Sequence, residues 1–133
     1  MTNFGVSAGF VALLAGAVAL GSAAHAQSVK LTGEEIETLL SGNTAHGLWD
    51  GAPYRQYFGP DGVTIYAQDG ARSARGEWRV DHARDEFQSL WPSDEDWQGW
   101  FVALYLGEYY WLSKTTPPTL FKVDAGQQLI EAQ

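Results

Sequence analysis

Between Trp91 and Trp100 the chain reads WPSDEDWQGW, with the consecutive acids Asp94-Glu95-Asp96 flanked by indoles. Carboxylate oxygens are ligands for calcium, and indole faces beside carboxylates attract organic cations. Spacing disfavours calcium: an EF-hand loop requires a bidentate Glu at its twelfth position, and counted from Asp94 that position is Tyr105. Acids adjacent in sequence point in diverging directions, which is the pattern of a solvated turn between two strands. The other chemistry-bearing residues are sparse. His46 and His82 stand outside H-x-x-x-H and H-E-x-x-H spacing. No serine lies in G-x-S-x-G. Glu77 and Glu108 are candidates for a carboxylate pair only by default, because such pairs meet in space rather than in sequence. The chain has no cysteine, which excludes thiol catalysis, disulfide exchange and thiolate metal ligands. No motif calls for a cofactor or a metal. Binding is therefore expected, and catalysis is the weakest of the function classes.

These residues must be positioned by a small domain. Residues 1–26 contain no Lys, Arg, Asp or Glu, and FVALLAGAVALG runs from Phe10 to Gly21. Small residues and Ala24-His25-Ala26 follow, giving the apolar core and A-x-A site of a secretory signal peptide. The usual Lys or Arg near the start is missing, so the terminal amine supplies the positive end. The apolar run is shorter than the roughly 20 residues of a spanning helix. Cleavage after Ala26 is expected to leave one domain, 27–133, in the periplasm or outside the cell, with no membrane span.

All eight Lys and Arg and all sixteen Asp and Glu fall in 27–133, so the net charge of −8 belongs to that domain. Such a surface repels nucleic acid and anionic headgroups and keeps a small exported domain soluble. An exported domain of this size often relies on disulfides. Here aromatic side chains, each burying about 150–250 Å², must supply the core instead. All six Trp and all six Tyr lie after residue 26.

The first element is a helix. Thr32 and Glu35 form a capping box, Leu31 and Ile36 suit a hydrophobic staple, and Ile36, Leu39 and Leu40 make one apolar stripe. Gly42 closes it. Frequent turn signals then separate short runs of Val, Ile, Tyr, Phe and Trp, which indicates strands. Gly59-Pro60-Asp61-Gly62 predicts a hairpin joining Tyr54–Phe58 to Val63–Gln68. Gly76, Trp78 and Val80 alternate with Arg75, Glu77 and Arg79, the pattern of a half-buried strand. WQGWFVALYLG and EYYWL are apolar on both parities and meet in a hairpin near Gly107-Glu108, so both faces require cover. The tail with Leu129-Ile130 is read as a short edge strand.

Gly47-Leu48-Trp49, a G-x-W on the first long strand after a short helix, resembles the start of lipocalins and the wider calycin group of up-and-down barrels. The resemblance implies that Trp49 packs across the closed end of a barrel, with Lys122 as the late-strand cation beside it. The order of elements is similar to small lipocalin-like domains of bacterial periplasms. One such group inhibits secreted proteases, and this chain departs from it in lacking a Cys pair.

The expected fold is mainly β: a small antiparallel up-and-down barrel or strongly curved sheet of about eight short strands, with one N-terminal helix. Trp49, Trp78, Trp97, Tyr105 and Trp111 are expected to line the interior and bind a small apolar or aromatic ligand. Trp100, Tyr110 and Leu112 are expected to face outward, toward a periplasmic protein partner or a twin subunit. A protease-inhibitor-like or assembly-stabilising accessory protein is the alternative.

Overall fold

A computed structural model describes residues 27–130; the leader expected over 1–26 lies outside them. The element order is β1 (Val29–Lys30), α1 (Gly33–Leu40), β2 (Thr44–Trp49), β3 (Ala52–Phe58), β4 (Val63–Gln68), β5 (Ala74–Asp81), β6 (Glu86–Leu90), β7 (Gln98–Tyr105), β8 (Glu108–Leu112) and β9 (Thr119–Asp124). From β2 to β9 each strand pairs antiparallel with the next, and β9 returns to β2, so eight strands close into an up-and-down barrel. The closing ladder pairs Thr44 with Asp124 and Gly47 with Phe121. Closure removes the unpaired edges that an open sheet would leave. The short β1 adds beside β7, with Lys30 opposite Ala103.

Helix α1 begins as its sequence dictates. The Glu35 N–H donates to Thr32 Oγ1 at 3.2 Å, and the Thr32 N–H donates to Glu35 Oε1 at 2.9 Å. Gly42 takes a φ of +78° after the Ser41 cap, where a side chain would be strained. Its apolar stripe closes one end of the barrel: Ile36 and Leu40 are fully buried. Burying each stabilises the fold by about 1.5–3 kcal/mol. The Gly33 N–H donates to Asp85 Oδ1 at 2.7 Å, which ties the helix start to the turn after β5.

Aromatic packing fills the middle. Phe58 meets Trp78 and Phe87 edge-on, each at 5.5 Å between centroids. Trp111 stacks on Phe121 at 4.2 Å. The Trp78 indole N–H donates to the Gly59 carbonyl at 2.8 Å, locking β5 to the β3–β4 turn. That turn is the expected hairpin, with Gly62 at φ +89°.

One expectation is corrected. No strand follows Asp124 among the described residues; the tail is pinned by the Gln128 N–H donating to Thr44 Oγ1 at 2.8 Å. Cover for the inner face of the β7–β8 hairpin comes from barrel closure: Val102 and Trp111 pair and point into the core. No helix among the described residues is long and apolar enough to cross a membrane.

Candidate functional site

The end opposite α1 is open. The β2–β3, β4–β5, β6–β7 and β8–β9 turns ring a cup of about 670 Å³, within the range of pockets that hold drug-sized molecules. Its buried floor comprises Tyr54, Gln56, Phe87, Ser89 and Trp111. Half-buried around the opening stand Trp49, Tyr66, Trp91, Asp94 and Trp100, with Gln68 and Gln98 near the lip. All the lining strand residues share the inward parity of their strands, as the pairings Tyr54–Gln68, Gln56–Tyr66, Phe87–Trp100 and Ser89–Gln98 require.

The rings form corners. Trp49 and Trp100 stand edge-to-face, 5.7 Å apart at 86°. Tyr66 and Trp91 do so at 6.3 Å and 80°. Trp91 reaches this position because Gly76 has no side chain: a Cβ there would stand 2.6 Å from the indole. Tyr54 stacks on Tyr66 at 5.3 Å. In the floor, the Trp111 indole N–H donates to the Tyr54 hydroxyl at 3.1 Å. Burial pushes the Tyr54 hydroxyl up to about 12, against the lowering effect of that hydrogen bond, so it is a neutral donor at ordinary pH. The Tyr66 hydroxyl is also raised, first by burial and then by the negative charge of Asp50. Asp94 is held at the rim by a two-way clasp: its N–H donates to the Trp91 carbonyl at 2.9 Å, and its carboxylate accepts the Trp91 N–H at 3.0 Å. The cup thus offers flat apolar walls, a buried hydroxyl donor, side-chain amides and one carboxylate.

The expected interior set divides. Trp49 and Trp111 line the cup. Trp78 is interior but belongs to the packed layer beneath α1, away from the opening. Trp97 lies outside, under the Arg79 guanidinium at 4.0 Å. Tyr105 also lies outside, edge-on to Tyr110 at 6.5 Å. Trp100, expected outward, points into the cup. The cause is register. Trp100 pairs with Phe87 and Val102 with Trp111, so the inner parity of β7 is 98, 100, 102 and 104. Trp97 precedes the strand and is no guide to its parity. Tyr110 and Leu112 occupy the outward parity of β8, opposite Ala103 and Phe101.

Trp49 stands at the end of β2 remote from α1, so it does not cross the closed end as the G-x-W resemblance implied. Lys122 is exposed on the outer surface, opposite His46. Gly47 has its own reason: a Cβ there would come within 2.9 Å of the Leu120 carbonyl.

Sequence inspection missed Tyr54, Gln56, Tyr66 and Gln68 as lining residues. Their alternation from residue 54 to 58 and from 64 to 68 was a usable signal, once GPDG fixed the hairpin. Outside the cup, His46 Nε2 lies 3.4 Å from Asp124, and His82 Nε2 lies 3.6 Å from Glu37. No group of three or more His, Asp or Glu among the described residues is placed to hold a metal ion, which includes Asp94-Glu95-Asp96. Glu77 and Glu108 lie on β5 and β8, which are not neighbours. No protein family, curated protein or solved structure matches the chain.

Proposed function

We propose that this chain is a non-catalytic binding protein, exported to the periplasm or beyond, that takes a small amphipathic molecule into the mouth of a lipocalin-like barrel. The observation that carries the reading is the aromatic cup: half-buried Trp49, Trp91 and Trp100 stand around an opening of about 670 Å³. Large aromatic rings left half-exposed around a concavity, when others in the same chain pack fully, suit a ligand that completes their burial. The amides and the Tyr54 hydroxyl would orient it.

Titration with the neutral fluorophore N-phenyl-1-naphthylamine tests this. Saturable fluorescence is expected, weakened about tenfold or more in Trp100→Ala, since a lost aromatic anchor costs 1–2 kcal/mol or more. Absence of saturable binding, or equal binding by the variant, counts against the cup.

A second reading, a protein partner or twin subunit on the outer wall, has one observation in its favour. Tyr110 pairs with Ala103 on one side and Leu120 on the other, and Leu120 and Leu48 are 41% and 58% exposed. Sedimentation of Leu48→Glu and Leu120→Glu beside the parent chain tests self-association. A concentration-dependent dimer lost in the variants would support the outer wall as its contact.

A further inference from the structure

Aromatic rings occur on both faces of this barrel, and the two faces treat them differently. On the outside, two rings are matched with cations from the chain itself. Arg79 lies over Trp97 at 4.0 Å, and Lys30 lies over Phe101 at 4.3 Å. In the cup, neither Lys nor Arg is among the lining residues, and the charged lining group is Asp94.

We infer that the cup selects organic cations: an amphipathic amine or quaternary ammonium whose charged head lies among Trp49, Trp91, Trp100 and Tyr66 beside Asp94, with its apolar body against Phe87 and Trp111. This rests on the mouth-binding reading above and gives it a ligand class.

The physical basis is the ring quadrupole. A cation within about 6 Å of an indole centroid gains roughly 0.5–2 kcal/mol, more as water is excluded. Rings at right angles, as in Trp49–Trp100 and Tyr66–Trp91, present faces in more than one direction around the opening. Asp94 adds a carboxylate whose position is set by its clasp with Trp91 rather than by a flexible side chain alone. A fixed charge costs little to order when the ligand arrives. The influence of Asp50 on the Tyr66 hydroxyl is a separate sign that the rim is negative. An anionic ligand of the same shape would meet Asp94 without a compensating base. A neutral one would forgo both terms and rely on Gln68 and Gln98.

Three probes of nearly one shape separate these cases: benzyltrimethylammonium, its uncharged carbon isostere neopentylbenzene, and phenylmethanesulfonate, each titrated against tryptophan fluorescence of the protein. The cation is expected to bind about tenfold tighter than the isostere, with no saturable binding of the sulfonate. Asp94→Asn keeps an oxygen to accept the Trp91 N–H. It is expected to weaken the cation several-fold and leave the isostere within about twofold. Glu95→Gln, outside the lining, is the control and should change neither. Equal or tighter binding of the isostere, or an unchanged cation affinity in Asp94→Asn, overturns the cation inference while leaving the mouth occupied. Failure of all three probes, together with failure of N-phenyl-1-naphthylamine, overturns the mouth-binding reading as well.

Discussion

Tyr54 and Trp78 show how single polar atoms hold this aromatic interior in register. Each indole or phenol brings a polar group inside, and each finds a partner: Trp78 Nε1 on the Gly59 carbonyl, Trp111 Nε1 on the Tyr54 hydroxyl. Trp78→Phe would remove the indole bond, leaving that carbonyl the Gly62 N–H at 3.0 Å, and thin the packing beneath α1. A loss of about 1–3 kcal/mol is expected by urea denaturation. Tyr54 adds a pH signature. Its hydroxyl is raised from 10.0 to about 12 in the folded chain, so the unfolded chain gives up this proton first. The associated stability is complete below about pH 10 and is lost as pH rises toward about 12, on the order of 2 kcal/mol. Tyr54→Phe is expected to be less stable than the parent at neutral pH because Trp111 loses its acceptor. The gap between the two should narrow in denaturation curves taken from pH 9 to pH 12. A constant gap would contradict the assigned burial.

At the scale of elements, local chemistry and long-range pairing divide the structure between what the sequence discloses and what it conceals. Helix α1 was legible from Thr32, Glu35 and Gly42, because capping is a matter of neighbours along the chain. Thr32→Ala should cost about 1 kcal/mol by thermal or urea unfolding. The β3–β4 hairpin was legible from GPDG for the same reason. The β7–β8 turn was legible in place but not in detail. Leu106 and Gly107 both have positive φ, 49° and 80°, the type I′ geometry that favours Asn-Gly. Leu106 is 68% exposed and gains little there. Leu106→Asn is therefore expected to stabilise the fold by about 0.5–1 kcal/mol, read as a raised melting temperature. Strand β7 concealed its orientation because both of its faces are apolar. Alternation, the usual guide, carries no information in such a run. Only its partners, Phe87 on one side and Trp111 on the other, select the inner row, and those pairings span sequence distances that local patterns do not report. Trp97 misled for a related reason: it precedes β7 and its ring packs under Arg79, two strands away.

At the scale of the whole molecule, closure between β2 and β9 turns a greasy meander into a cup. One end is sealed by α1, the middle is packed with Phe58, Trp78, Trp111 and Phe121, and the other end stays open. The aromatic content that replaces crosslinks therefore has two roles, split along the barrel axis. Trp78 and Phe58 serve cohesion, whereas Trp49, Trp91 and Trp100 stand where a guest would sit. The six indoles report this division directly. The most direct measurement is a two-dimensional NMR titration that follows all the indole N–H signals while benzyltrimethylammonium, and separately N-phenyl-1-naphthylamine, is added. The signals of Trp49, Trp91, Trp100 and Trp111 should shift together to saturation, while those of Trp78 beneath the helix and Trp97 on the outer wall stay in place. Shifts centred on Trp97, or no saturable shift with either probe, would contradict a binding cup at the barrel mouth.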